Sequence, residues 1–108
     1  MSKNQIQKRV LFVGLFDKDT KTQKIDSLTA ANIINNIIIT NGLDGATVSN
    51  ATGIYKHENG QIIIEPSVRI ELLFATEKQI KNICEAIKTA LNQESVVLES
   101  QIIESRLV

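Results

Sequence analysis

The turn Glu58-Asn59-Gly60 constrains this chain more than any other feature. Asn-Gly tolerates the positive φ angles of a tight connection between two twisted strands, so it predicts a β-hairpin. Both arms are legible. In Ala46 to Lys56, Ala46 and Val48 alternate with Thr47 and Ser49, and the phase blurs at Gly53, where a bulge or bend is expected. In Gln61 to Phe74, Val68, Ile70, Leu72 and Phe74 share one face. Pro66 has no N–H for a ladder and predicts a bulge or break in this arm.

Helical spacing flanks the hairpin on both sides. Leu28, Ala31, Ile34, Ile37 and Ile38 recur at threes and fours behind a cap at Asp26 or Ser27, and Asn41-Gly42 suits a helix C-terminus. After the hairpin, Thr76 and Gln79 have the spacing of a capping box, and Ile80, Ile83, Cys84, Ile87 and Leu91 form an apolar stripe. Two more strands close the pattern. Lys8 to Phe16 is a nearly continuous apolar run, and Ser95 to Ile103 opens with Val96, Val97 and Leu98. The order βαββαβ predicts an α+β, ferredoxin-like sandwich: an antiparallel four-stranded sheet with both helices on one face. Its 108 residues suit one core, so residues 8–108 are read as a single domain behind a flexible tail, residues 1–7.

That architecture leaves the second face of the sheet bare. The first strand is apolar toward both sides: Val10, Phe12 and Phe16 on one, Leu11, Val13 and Leu15 on the other. Exposing several such side chains makes a patch larger than small monomers tolerate, so self-association is expected.

Several function classes are excluded. Lys plus Arg equals Asp plus Glu at 12 each, without the basic excess of a nucleic-acid binder. One cysteine, Cys84, permits no intramolecular disulfide and no cysteine-based metal site. Residues 1–8 lack a signal-peptide core, and the longest apolar stretch, 33–39, contains Asn35 and Asn36. A cytoplasmic protein without membrane contact is expected.

The segment Gly53-Ile54-Tyr55-Lys56-His57-Glu58-Asn59-Gly60-Gln61-Ile62 resembles the hairpin of the CutA family, in which an Ile-Tyr pair precedes a turn ending in Gly-Lys-Ile. Val68-Arg69-Ile70-Glu71-Leu72-Leu73, Thr76 and the apolar helix are similar to the same family in spacing, so the resemblance covers residues 46–91. CutA shares a trimeric fold with the nitrogen-regulatory PII proteins. The resemblance implies a homotrimer with its sheets facing the centre and ligands, nucleotides among them, in clefts between subunits. The family's His-Pro-Tyr-Glu-like segment is replaced by Leu91-Asn92-Gln93-Glu94-Ser95, so its metal role does not carry over. The hairpin is also shorter than the PII regulatory loop, and no PII nucleotide-binding sequence is present.

Candidate ligand residues fall in three places. Lys18 and Lys21, with Lys24, lie in a polar loop longer than a strand–helix connection needs, where they can meet an anion near the first helix. Tyr55, Lys56 and His57 flank the turn, and His57, the one histidine, can respond to pH. Arg69 alternates with apolar residues and belongs to the bare face, with Glu71. Cys84 reads as a buried, inert thiol. Glu65 and Glu99 have no spacing that makes an acid–base pair. No nucleophile–base pair, metal set or cofactor motif is recognisable, so catalysis is not expected. The expected function is a trimeric PII/CutA-like protein that binds or senses a small nucleotide or anion. The alternatives are a non-catalytic interaction module and an enzyme of unidentified class.

Overall fold

The computed structural model describes residues 5–108. Its elements are β1 (Gln5–Gly14), α1 (Ser27–Thr40), β2 (Thr47–Lys56), β3 (Ile62–Leu73), α2 (Glu77–Ala90) and β4 (Val97–Glu104). The sheet order is β2-β3-β1-β4 and every neighbouring pair is antiparallel. This is the α+β ferredoxin-like arrangement that the sequence predicts. The expected tail falls partly in the sheet: Gln5, Ile6 and Gln7 pair with Glu104, Ile103 and Ile102. Residues 1–4 lie outside the described residues.

Local chemistry sets the helix ends. Asp26 caps α1, its side chain accepting from the Thr29 N–H at 2.7 Å. Asn41 closes α1, and Gly42 follows at φ +83°, where a β-carbon would be strained. At α2 the capping box is complete: the Gln79 N–H donates to Thr76 Oγ1, and the Thr76 N–H donates to Gln79 Oε1.

The core lies between the helices and one sheet face. Leu11, Val13, Val68, Ile70 and Leu72 from the central strands meet Ala30, Ile34, Ile80, Ile83 and Ile87 from the helices. Each fully buried aliphatic side chain contributes about 1.5–3 kcal/mol. Arg9 shares this side of the sheet, buried, and donates to Gln7 and Glu77.

Neither expected bulge forms. The β2–β3 register runs unbroken through Thr52↔Pro66 and Gly53↔Glu65. The Pro66 carbonyl accepts from the Leu15 N–H, so its missing N–H faces β1, just past Gly14↔Ser67 where that ladder ends. The β2 ladder loses no donor there.

The open face also differs from expectation. Val10 is only 7% exposed and Ile6 only 9%. Around Val10 lie long polar side chains: Lys8 and Glu71 on the adjacent register positions form an ion pair at 2.6 Å, and Arg69 joins Glu71 at 3.0 Å. Exposed apolar side chains gather at the sheet's two edges instead. Ile54, Ile62 and Ile64 lie on the helix side of the hairpin, beyond the helices, and Leu98 and Ile102 on the helix side of β4.

Candidate functional site

Two concavities mark opposite ends of the open face. One, of roughly 400 Å³, brings together the start of β4, the end of β1, the loop after it and the hairpin arms. The other, of roughly 600 Å³, lies where β1 and β3 pass Thr47 and Ile103. The smaller cleft holds the denser set of chemically active side chains.

Register explains its composition. Tyr55 pairs with Ile63 and Gly53 with Glu65, which places Tyr55 and Glu65 on the open face. His57 follows one step beyond β2, its ring edge-on to Tyr55 with centroids 5.5 Å apart and planes at 88°. Phe12 and Phe16 add two rings from β1 and its extension. The floor is the Glu65 carboxylate. Its Oε2 accepts the Phe16 N–H at 2.8 Å. It occupies the space that a side chain at residue 14 would fill, since a β-carbon on Gly14 would stand 2.5 Å from Oε2. Gly53, directly opposite on β2, leaves the other flank equally bare.

The loop after β1 forms the wall. Asp17 organises it by accepting the Asp19 and Thr20 N–H groups at 3.0 and 3.1 Å. Asn92, just past α2 and at φ +48°, donates to Asp17 and to Asp19, each at 2.9 Å, and its carbonyl accepts from the Lys18 N–H. The Asn92 hydrogen bond is the main reason that the Asp17 carboxyl lies below its ordinary pKa, with the two backbone N–H groups adding to it. Gln93 donates to the Phe16 carbonyl at 2.9 Å. The end of α2 therefore fixes the loop that carries Lys18 and Lys21 at the cleft rim.

Of the residues singled out from sequence, Lys18, Lys21, Tyr55 and His57 line this one cleft. Lys56 pairs with Ile62 and faces the opposite side of the hairpin. Arg69 is on the open face but outside the lining. It is bound to Glu71, and its Cζ lies 6.0 Å from the Phe12 ring centre. Hydrogen bonds from Arg69 and Lys8 pull the Glu71 carboxyl down to about 2. The sequence reading missed Glu65, Gly14, Phe12 and Phe16 as site residues. The only signal was a pair of lone glycines, 14 and 53, in otherwise β-forming runs. Among the described residues no group of three or more His, Cys, Asp and Glu is placed to hold a metal.

A family model described as "Protein of unknown function (DUF3574)" matches residues 8–105. The chain belongs to that family. No curated protein matches the sequence. Among solved structures, the chain is similar to a phage SAM lyase in complex with S-methyl-5'-thioadenosine, at 20% identity and TM-score 0.62 over 93% of this chain and 90% of that one. It is similar to a B. subtilis GlnK–ATP complex at 12% identity and TM-score 0.56, over 91% and 84% of the two chains. It is similar to CutA from Synechococcus elongatus PCC7942 at 8% identity and TM-score 0.53, over 97% and 80%. At these identities the likeness shows the shared fold.

The expectation that the chain is not an enzyme is overturned by these matches. The phage SAM lyase is an enzyme, and its apo structure aligns over 100% of this chain and 96% of that one. The absence of a nucleophile–base pair or metal set was a poor ground for that expectation, because a preorganised charged cleft can itself stabilise a transition state. No helix among the described residues is long and apolar enough to cross a membrane.

Proposed function

We propose that this protein is an enzyme that binds a zwitterionic adenosyl sulfonium in the cleft formed by Tyr55, His57 and Glu65 and cleaves it as a lyase. One observation carries the reading: a carboxylate fixed by the Phe16 N–H, seated over Gly14 and surrounded by aromatic rings. A carboxylate attracts a cation, and ring faces add to that attraction when water is displaced. The same carboxylate repels a purely anionic ligand. Lys18 and Lys21 on the rim suit a carboxylate at the ligand's other end. S-adenosylmethionine combines a sulfonium, a carboxylate and a flat base. As the ligand's own carboxylate closes on the carbon that sulfur leaves, the bond from sulfur to the amino-acid chain breaks and its electron pair returns to sulfur. The products are a lactone that keeps the amino group and the neutral thioether S-methyl-5'-thioadenosine, the ligand of the similar phage enzyme. Incubation with S-adenosylmethionine, followed by chromatography, tests the reading. Formation of S-methyl-5'-thioadenosine that is lost in Glu65→Gln supports it, and an undiminished substrate pool contradicts it.

Self-association is part of the proposal, as the homotrimer implied by the resemblance to CutA and PII. The two free edges support it. Strand directions alternate across β2-β3-β1-β4, so β4 of one copy can continue the antiparallel order beside β2 of the next with the helices on the same side. A second reading, a nucleotide sensor, is favoured by Lys18 and Lys21 at the rim. It predicts a melting shift with ATP and no turnover.

A further inference from the structure

We infer that the larger concavity at the far end of the open face is a docking site for residues 105–108 of a second copy of this chain. The inference rests on the proposed self-association and is independent of the ligand. That concavity, of roughly 600 Å³, mixes the apolar side chains Leu43, Leu73 and Phe74 with Asp44. Phe74 is the unusual member. It is 73% exposed and held at φ +62°, a left-handed conformation that bulky side chains avoid. Strained backbone of this kind clusters at functional sites, and here it presents an aromatic ring to a partner surface.

The occupant is argued from what leaves β4 at the same end of the sheet. Ile103 lines the concavity, and after Glu104 the chain continues as Ser105-Arg106-Leu107-Val108 outside any strand or helix. Leu107 and Val108 are fully exposed. The segment therefore lies free of its own concavity, which a docking site for the same chain would not leave empty. Its chemistry is complementary to that of the site. Arg106 opposes Asp44, and Leu107 and Val108 match Leu43, Leu73 and Phe74. The neighbouring ionic side chains Lys8 and Glu71 are already engaged with each other, which leaves Asp44 to select the charge of the incoming segment. A second copy supplies this segment in a fixed position at the end of β4. Such a head-to-tail contact uses two different patches, and it closes into a ring where the rotation between copies returns to the first.

Sedimentation velocity over a concentration series tests the inference on the full chain, a chain ending at Glu104, Arg106→Glu, Asp44→Lys and the double variant. The expected result is a dissociation constant at least tenfold higher for the truncation and for each single variant, with the double variant restored to within about threefold of the parent. Circular dichroism of each variant confirms an unchanged fold, as the segment belongs to no element. Association unaffected by truncation overturns the inference while leaving self-association standing, and so does a double variant no better than either single one. A full chain that stays monomeric throughout the series overturns both. A melting change on truncation that does not vary with protein concentration places the segment on its own chain and also overturns it.

Discussion

Replacing Gly14 by Ala separates the site from the fold. A β-carbon there would lie 2.6 Å from the Glu65 Cδ and Oε1 and 2.5 Å from Oε2, and all three are the far end of a flexible side chain. The carboxylate swings away and the backbone stays. Its hydrogen bond from the Phe16 N–H is lost, at roughly 1.5–3 kcal/mol for a charged acceptor. Alanine in place of glycine within a strand returns about 0.5–1 kcal/mol. The net destabilisation is about 0.5–2.5 kcal/mol, and each kcal/mol lowers the melting temperature by roughly 4–8 °C in a domain near this size. The variant also weakens the ligand. With the carboxylate out of place, S-adenosylmethionine should bind at least tenfold more weakly, equivalent to about 1.4 kcal/mol. Glu65→Gln is the companion variant. It keeps the shape and an acceptor for the Phe16 N–H, so it melts close to wild type, yet it lacks the charge. Calorimetric titration should show that Glu65→Gln weakens the sulfonium ligand and barely affects the neutral thioether. Wild-type affinity for S-adenosylmethionine in either variant refutes the assigned role of Glu65. A loss of more than about 4 kcal/mol in Gly14→Ala refutes the claim that only a side chain has to move.

Other outcomes follow from the same geometry. Glu71 has a depressed pKa in the folded protein, so its stabilisation is present above the ordinary glutamate range and is lost as pH falls from about 4.5 toward about 2. In Glu71→Gln the urea midpoint should vary less across that window, with under about 1 kcal/mol lost at neutral pH because the pair is partly solvated. Asn92→Ala removes the two hydrogen bonds to Asp17 and Asp19, and hydrogen exchange at Lys18, Asp19 and Thr20 should accelerate while α2 core amides stay protected. Thr76→Ala dismantles the capping box and should cost about 1 kcal/mol in a urea titration, without altering ligand affinity.

What the sequence reveals follows how local each signal is. Asn59-Gly60 and the Thr76–Gln79 box act within four residues; the box forms as read, and the hairpin closes where expected with Gly60 alone of its pair at positive φ. Apolar periodicity places α1, α2 and the core face of β3 because each element must bury one stripe, but it wrongly assigns Leu28 and Phe74, which are exposed, to the buried faces. The failures are contacts between distant segments. Glu65 becomes a cleft floor through Phe16 and Gly14, residues far away in sequence, and no local pattern announces that pairing. Pro66 looks disruptive until the register shows its missing donor turned toward the end of a ladder. The open face looks wet and apolar from Val10 alone, because an alternation pattern does not show that Lys8, Arg69 and Glu71 gather around it. Tyr55 with His57, and Lys18 with Lys21, are legible in the sequence as two separate groups, yet their convergence depends on Asn92 and Gln93 drawing the first loop against the end of α2.

The most direct test of the central claim is an amide chemical-shift titration of the uniformly labelled protein with S-methyl-5'-thioadenosine. The expected result is saturable shifts concentrated at Gly14, Phe16, Lys18, Tyr55 and His57, with Gly42, Asp44 and Phe74 unmoved. Shifts confined to the far concavity, or none at millimolar ligand, contradict it.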